Sequence, residues 1–436
     1  MRGSPTYRVM AVLVSVIASG LAALLLAFTS WNPVMNTQRL AAPGMPPSLG
    51  DYPQFQATEQ EKLSDFYNPP SPLPDLIPGS VLKSERIKDA PPGIAAYRVM
   101  YLSTGVDGSR VAVTAAFFDR ADSGGPDGRP LAGFAHGTVG LGRYCGVSQD
   151  PFKRGLTGAL FWESQIQALV DSGYAVIATD FQNMGAPGTP SYLVAESEAF
   201  SVLDSMRAAL TQFPDRVDAN QQLLIGHSQG GQASLAAAKY SPTYAPELAI
   251  RGTVSQAPGV IVGLPIVVKQ LVKSTAGESA SSRAEFISYL TRAWSATYPG
   301  ELTADQILTP EGMAKLPLAN KLCGTQLSKH YDQPLAAYVK SELPPSFLRL
   351  LNENVPVGPL PMPILFTQGL ADTTIVPQFT IATYLATCQT GSVASLQQYP
   401  DVDHTGLLLT ARTPVIDWMN DRVAGKPAPD TCTEMR

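Results

Sequence analysis

Among the residues able to do chemistry, the run Gly226-His227-Ser228-Gln229-Gly230-Gly231 has types and spacing that define a task. It follows the short apolar run Gln222 to Gly226 and opens the alanine-rich stretch Gln232 to Tyr240, so it reads as strand, sharp turn, helix. A serine on such a turn sits in a strained backbone that only small neighbours tolerate. Gly226 and Gly230, flanking His227 and Ser228, let chain segments pass while the Ser228 hydroxyl points outward as a nucleophile.

A hydroxyl becomes nucleophilic when a base takes its proton, and on this kind of turn the partners follow in the order serine, acid, histidine. His330 and His404 follow Ser228. His330 lies in a helical stretch, whereas His404 follows the strand-like Leu396 to Tyr399 in the polar turn Asp401-Val402-Asp403-His404-Thr405-Gly406, so His404 is the predicted base. The acid is expected just past a strand between them, and the run Met362 to Gly369 leads to Asp372. Asp401 and Asp403 are too near His404 along the chain to reach its ring easily and read as solvated turn residues. Attack on a carbonyl also needs donors for the oxyanion. One is the backbone N–H of Gln229; the other is expected from Thr138 or Val139 in the turn His136-Gly137-Thr138-Val139-Gly140, which follows the strand Leu131 to Ala135.

Other chemistries find no footing. Gly140-Leu141-Gly142-Arg143-Tyr144-Cys145-Gly146 misses the dinucleotide spacing by one residue, and neither a phosphate-binding Walker sequence nor H-E-x-x-H occurs. The four histidines lack metal-ligand spacing, so no metal or cofactor is implied.

These residues need a scaffold. The runs Ala96 to Ser103 and Arg110 to Phe118, around Asp107-Gly108, read as a β-hairpin. Short buried runs then alternate with helical stretches: Leu131 to Ala135, Tyr174 to Thr179, Gln222 to Gly226, Gly252 to Gln256 and Pro363 to Thr367. That alternation predicts an α/β fold with a mostly parallel central sheet and flanking helices. Between Ala257 and Pro356 the strand signal gives way to helical patterns at Ile266 to Lys273, Ser281 to Ser295 and Leu335 to Leu343. Such an insertion after the fourth of these strands is expected over the carboxyl edge of the sheet, as a cap. The uncharged run Ala257 to Val268 reads equally as acyl-pocket lining or as helix core packing.

The predicted organisation is therefore 1–38, a signal peptide or membrane anchor; 39–95, an extended proline-rich arm; 96–258, the first part of the core; 259–355, a helical cap; and 356–436, the second part of the core with a C-terminal tail. Arg2 and Arg8 precede the uncharged, mostly apolar Val9 to Phe28, which predicts export, with cleavage or anchoring both open. Exported thiols oxidise. Of the three pairings open to four cysteines, Cys145 with Cys323 and Cys388 with Cys432 is preferred, since the latter ties the tail to the body. With 44% hydrophobic and 15% charged residues in 436, the chain can fill a large core. Its net charge of -5 offers no basic field for nucleic acid.

The chain resembles the secretory lipases, the lipase A type of the α/β-hydrolase superfamily found in yeasts and actinobacteria. The resemblance spans most of the chain. It rests on Gly226 to Gly231, Phe66-Tyr67-Asn68-Pro69-Pro70, Pro78-Gly79-Ser80-Val81-Leu82, His136-Gly137-Thr138, Thr179-Asp180-Phe181, Asp372 and His404. It implies an α/β-hydrolase fold whose helical insertion caps the site. It also implies an exported carboxylic ester hydrolase, usually a triacylglycerol lipase, with the triad Ser228, Asp372 and His404. The expected partner is a lipid or other acyl ester, with contact to a membrane or lipid interface. Two rival readings remain: an acyltransferase or thioesterase on the same triad, and a catalytically silent binding protein on the hydrolase fold.

Overall fold

Apolar runs of five to seven residues leave no face for water and must be covered on both sides. In the computed structural model these runs form the middle of a sheet. The structure describes residues 63–435 apart from 123, 126, 153–159 and 262–277. The predicted N-terminal segment Val9 to Phe28, the first part of the arm, and the predicted helix Ile266 to Lys273 lie outside the described residues. Among those described, no helix is long and apolar enough to cross a membrane.

The sheet has nine strands: β1 (Val81–Arg86), β2 (Ile94–Thr104), β3 (Arg110–Arg120), β4 (Arg129–Ala135), β5 (Ala175–Thr179), β6 (Val217–His227), β7 (Ile250–Gln256), β8 (Ile364–Gly369) and β9 (Ala394–Tyr399). Their order is β1-β2-β3-β5-β4-β6-β7-β8-β9. β1, β2 and β3 pair antiparallel, β3 pairs antiparallel with β5, and every pairing from β5 to β9 is parallel. The order reverses at β4, which lies between β5 and β6 and so opens a crevice at its carboxyl end. The register places Ala135 beside Gly226, so the residues following β4 and those following β6 leave the sheet side by side.

The predicted hairpin is β2 and β3, paired from Ile94↔Arg120 to Thr104↔Arg110. The predicted arm differs from expectation in part. Its residues Val81–Arg86 form the edge strand β1, whose charged Lys83, Glu85 and Arg86 suit a strand open to water.

The helices that matter here are α1 (Ala195–Gln212), α2 (Gln229–Tyr244), α3 (Glu278–Thr297), α4 (Pro345–Glu353), α5 (Pro377–Gln389) and α6 (Arg412–Val423). Between β7 and β8 the described residues contribute no strand to the sheet. They build a second core around Tyr289, Trp294, Tyr331, Tyr338 and Leu350, into which Tyr192, Leu193 and Val194 project from the segment after β5. The helix expected over Leu335 to Leu343 does not form. Leu335–Ala337 makes one 3-10 turn, then Val339 bridges Leu308 and the Lys340 N–H donates to the Ile307 carbonyl at 2.9 Å. Pro344 and Pro345 explain the shift: prolines disfavour helix before them but suit a first turn, and α4 starts at Pro345.

Both preferred disulfides form. Cys388–Cys432 joins α5 to the tail, and Cys145–Cys323 joins the loop after β4 to the helical insertion. Beside the latter, the Gly324 N–H donates to the Val139 carbonyl at 2.8 Å.

Candidate active site

β6 ends at His227, and the chain turns at Ser228 with φ 59° and ψ -121° before entering α2. That left-handed backbone is unfavourable for a residue with a Cβ and persists only where the surroundings over-determine it. Here the Ser228 N–H donates to the Gln256 carbonyl at 2.9 Å, and the Ser228 carbonyl accepts from Gly259 at 2.7 Å and Gln232 at 3.1 Å. The turn is also packed to the limit. A Cβ on Gly226 would lie 2.0 Å from the Gly230 carbonyl oxygen, and one on Gly230 would lie 1.8 Å from that of Ala135.

No rotamer change relieves a contact between two backbones. Gly230→Ala is therefore expected to destabilise by about 3 kcal/mol, the upper end for overpacking. By moving the elbow away from the end of β4, it should also slow any reaction on Ser228. Thermal melting checks this, and an unchanged midpoint would contradict the packing.

Past β8, Asp372 is almost fully buried. Its Oδ1 accepts the backbone N–H groups of Thr374 at 2.8 Å and Ile375 at 2.9 Å. Its Oδ2 accepts from Gln368 Nε2 at 3.2 Å and lies 2.7 Å from His404 Nδ1. On the other side of the ring, His404 Nε2 lies 2.9 Å from Ser228 Oγ. The three predicted residues thus form one hydrogen-bonded line from three separate loops. Neither alternative joins it: His330 is exposed at the end of a 3-10 helix in the insertion, and Asp401 and Asp403 are exposed in their turn.

His227 takes a part not visible in the sequence. Its Nε2–H donates to the His404 carbonyl at 2.9 Å, and the two rings lie 4.4 Å apart. Burial above all, and then the neighbouring His404, holds its pKa well below the usual histidine range, so it is a neutral prop for the His404 loop. Gln368 is likewise revealed only by the structure; Thr380 Oγ1 donates to its Oε1, which turns its amino group toward Asp372.

The turn after β4 lies against the elbow, since a Cβ on Gly137 would be 3.5 Å from Ser228 Cβ. His136 shapes it through Nδ1–H to the Gly137 carbonyl at 2.7 Å, and burial pushes its pKa down to about 4, so the ring is neutral at pH 7. Of the two predicted donors, Val139 is buried while Thr138 is only half-buried, with its hydroxyl 2.8 Å from that of Tyr192. Gln229 opens α2, where backbone N–H groups lack helical partners. Two other motifs prove to be supports: Asp180 is buried and accepts from Thr114 Oγ1 at 2.6 Å and the Ser148 N–H at 2.9 Å, and the Tyr67 hydroxyl lies 2.9 Å from Ser148 Oγ.

Over Ser228 opens a cavity of about 90 Å³ with almost wholly apolar walls, including Leu193, Ile261, Phe286, Leu290 and Phe379. Gly259 and Ile261 of the uncharged run line it; 262–268 of that run lie outside the described residues. Among the described residues no cluster of histidine, cysteine, aspartate and glutamate could hold a metal ion.

Comparison with known proteins agrees with this architecture. The secretory lipase family model matches residues 162–275. Among curated proteins, the chain is 24% identical to a "probable inactive lipase" of Mycobacterium tuberculosis, over 84% of this chain and 83% of that one. It is 25% identical to lipase A of Arthroderma benhamiae, over 83% and 79%. Among solved structures, Candida antarctica lipase A in its closed state superposes with a TM-score of 0.68 over 84% of this chain and 87% of that one, at 18% identity. The fold is that of the α/β-hydrolases.

Proposed function

We propose, from the α/β-hydrolase fold and the secretory-lipase match over residues 162–275, that the chain is an exported serine carboxylic ester hydrolase of the lipase or esterase type. The observation that carries this reading is the line Ser228–His404–Asp372, with spacings of 2.9 and 2.7 Å, at the floor of an apolar cavity. His404 Nε2 takes the Ser228 proton as Oγ attacks the ester carbonyl. The negative charge that develops on the carbonyl oxygen is held by the backbone N–H groups of Gln229 and Thr138. His404 then returns the proton to the departing alkoxide, leaving an acyl group on Ser228. Water, deprotonated by His404, releases the acid and regenerates the hydroxyl. Asp372 holds Nδ1–H, which fixes the tautomer and stabilises the imidazolium.

The apolar cavity over Ser228 supports an ester with an apolar acid portion as the substrate, triacylglycerols included. The basic start and the apolar Val9 to Phe28 support export and contact with a membrane or lipid surface. The test is a p-nitrophenyl ester series on the chain lacking residues 1–38. Hydrolysis is expected within the series and lost in Ser228→Ala; a folded protein that turns over none of these esters would overturn the reading.

The Mycobacterium tuberculosis relative favours one rival, a silent binding protein on the same fold. Labelling separates the two. A p-nitrophenyl alkylphosphonate should modify Ser228 stoichiometrically in a working hydrolase; a folded protein that neither reacts nor hydrolyses any ester in the series would be the silent binder.

A further inference from the structure

The segment after β5 walls the cavity with Leu193, whose φ of 52° is left-handed and unusual for leucine. It is held by Glu198 in the first turn of α1, whose Oε1 accepts the Leu193 N–H at 2.8 Å. The same oxygen accepts Gln229 Nε2, from the residue following the nucleophile, at 2.7 Å. One residue before Leu193, the Tyr192 hydroxyl meets Thr138 Oγ1 at 2.8 Å, and the Tyr192 carbonyl accepts the Trp294 indole N–H at 3.0 Å. A single carboxyl oxygen is thus bonded to one residue that supplies an oxyanion donor, and linked through two consecutive residues to the other.

Glu198 is 1% exposed, and among the described residues its second oxygen has no hydrogen-bond partner. Burial pushes this carboxyl up to about 8, and the neutral acid that results suits a group whose bonded oxygen only accepts.

We infer that Glu198 is a positioning residue that sets the spacing of the oxyanion hole, fastening Gln229 at the elbow and, through Leu193 and Tyr192, Thr138 opposite it. This rests on the reading of Ser228 as a nucleophile. Donors act on the transition state only within about 2.7–3.1 Å of the oxyanion, and a shift of about 1 Å is worth about 10²-fold in rate. Losing Glu198 frees both sides of the hole and leaves the bonds of the triad in place. It also loosens Leu193 in the cavity wall, so the larger effect falls on kcat and a smaller one on KM.

The experiment measures kcat and KM on p-nitrophenyl butyrate, and the phosphonylation rate of Ser228, for Glu198→Ala, Glu198→Gln and Ser228→Ala. Glu198→Ala should lower kcat about 10- to 100-fold, with a smaller change in KM from the loosened Leu193. Phosphonylation should slow in parallel, because that attack also builds an anionic oxygen. Glu198→Gln keeps a carbonyl oxygen in the same place and should restore the rate to within about threefold of the original. A folded Glu198→Ala with kcat within about threefold, a loss confined to KM, or no rescue by glutamine overturns the assignment. Should Glu198→Ala fail to fold, Tyr192→Phe cuts only the link to Thr138 and must itself lower kcat, by about five- to tenfold, with KM unchanged; an unaltered kcat overturns it. Ser228→Ala separates the two readings. If it keeps turnover, the nucleophile is wrong and Glu198 falls with it; if it is inactive while Glu198→Ala is unimpaired, only the role of Glu198 fails.

Discussion

Replacing Ser228 by alanine is expected to lower kcat on a p-nitrophenyl ester by roughly 10⁶-fold, the size of effect seen when a triad nucleophile is removed, while leaving the protein folded. The fold survives because the substitution removes one oxygen and nothing else that the turn uses. The turn is held by backbone bonds from Ser228 to Gln256, Gly259 and Gln232, and alanine makes all three. Alanine also keeps the Cβ, so the left-handed strain at φ 59° is unchanged. Glycine would relieve it, so Ser228→Gly should be equally inactive yet more stable than Ser228→Ala by about 1 kcal/mol. That order of stabilities, read by thermal melting, separates strain at the elbow from loss of chemistry. Residual turnover above about a hundredth of the original would mean that another group attacks the ester.

The elbow was legible because it is local. A strand, two glycines at fixed offsets around a serine, and an alanine-rich helix lie within about twenty residues, and β6, Ser228 and α2 follow them. His404 and Asp372 were reachable from chain order and strand ends, and the structure brings both to Ser228. What escaped is non-local or masked by composition. β1 lies among prolines and becomes a strand only through its pairing with β2. The periodicity of Leu335 to Leu343 suggested a helix, yet Val339 bridges Leu308 from more than thirty residues upstream, and tertiary pairing overrides propensity. His227, Tyr192 and Glu198 act through partners elsewhere in the chain, as in the bond from His227 to the His404 carbonyl. Spacing along a single sequence carries no trace of such contacts.

Asp372→Asn is the more discriminating substitution, because the surroundings dictate which way an asparagine must face. At the Oδ1 position two backbone N–H groups, of Thr374 and Ile375, converge at 2.8 and 2.9 Å and can donate only to an oxygen. The amide NH₂ is therefore forced to the Oδ2 position, where it meets His404 Nδ1 and the amino group of Gln368. Facing a donor, Nδ1 becomes the acceptor and the ring proton moves to Nε2. Nε2 then carries a hydrogen and cannot take the one on Ser228 Oγ. A fall in kcat of about 10⁴-fold is expected, with the melting midpoint within a few degrees because the loop keeps its two backbone bonds. Asp372→Ala offers the contrast: it strands those two N–H groups and should cost about 1–3 kcal/mol, but it imposes no tautomer. If asparagine were tolerated at near-full rate, the Asp372–His404 bond would be a structural contact and the orienting acid would have to be sought elsewhere. A stable but inactive Asp372→Asn would instead tie activity to one proton on one ring nitrogen.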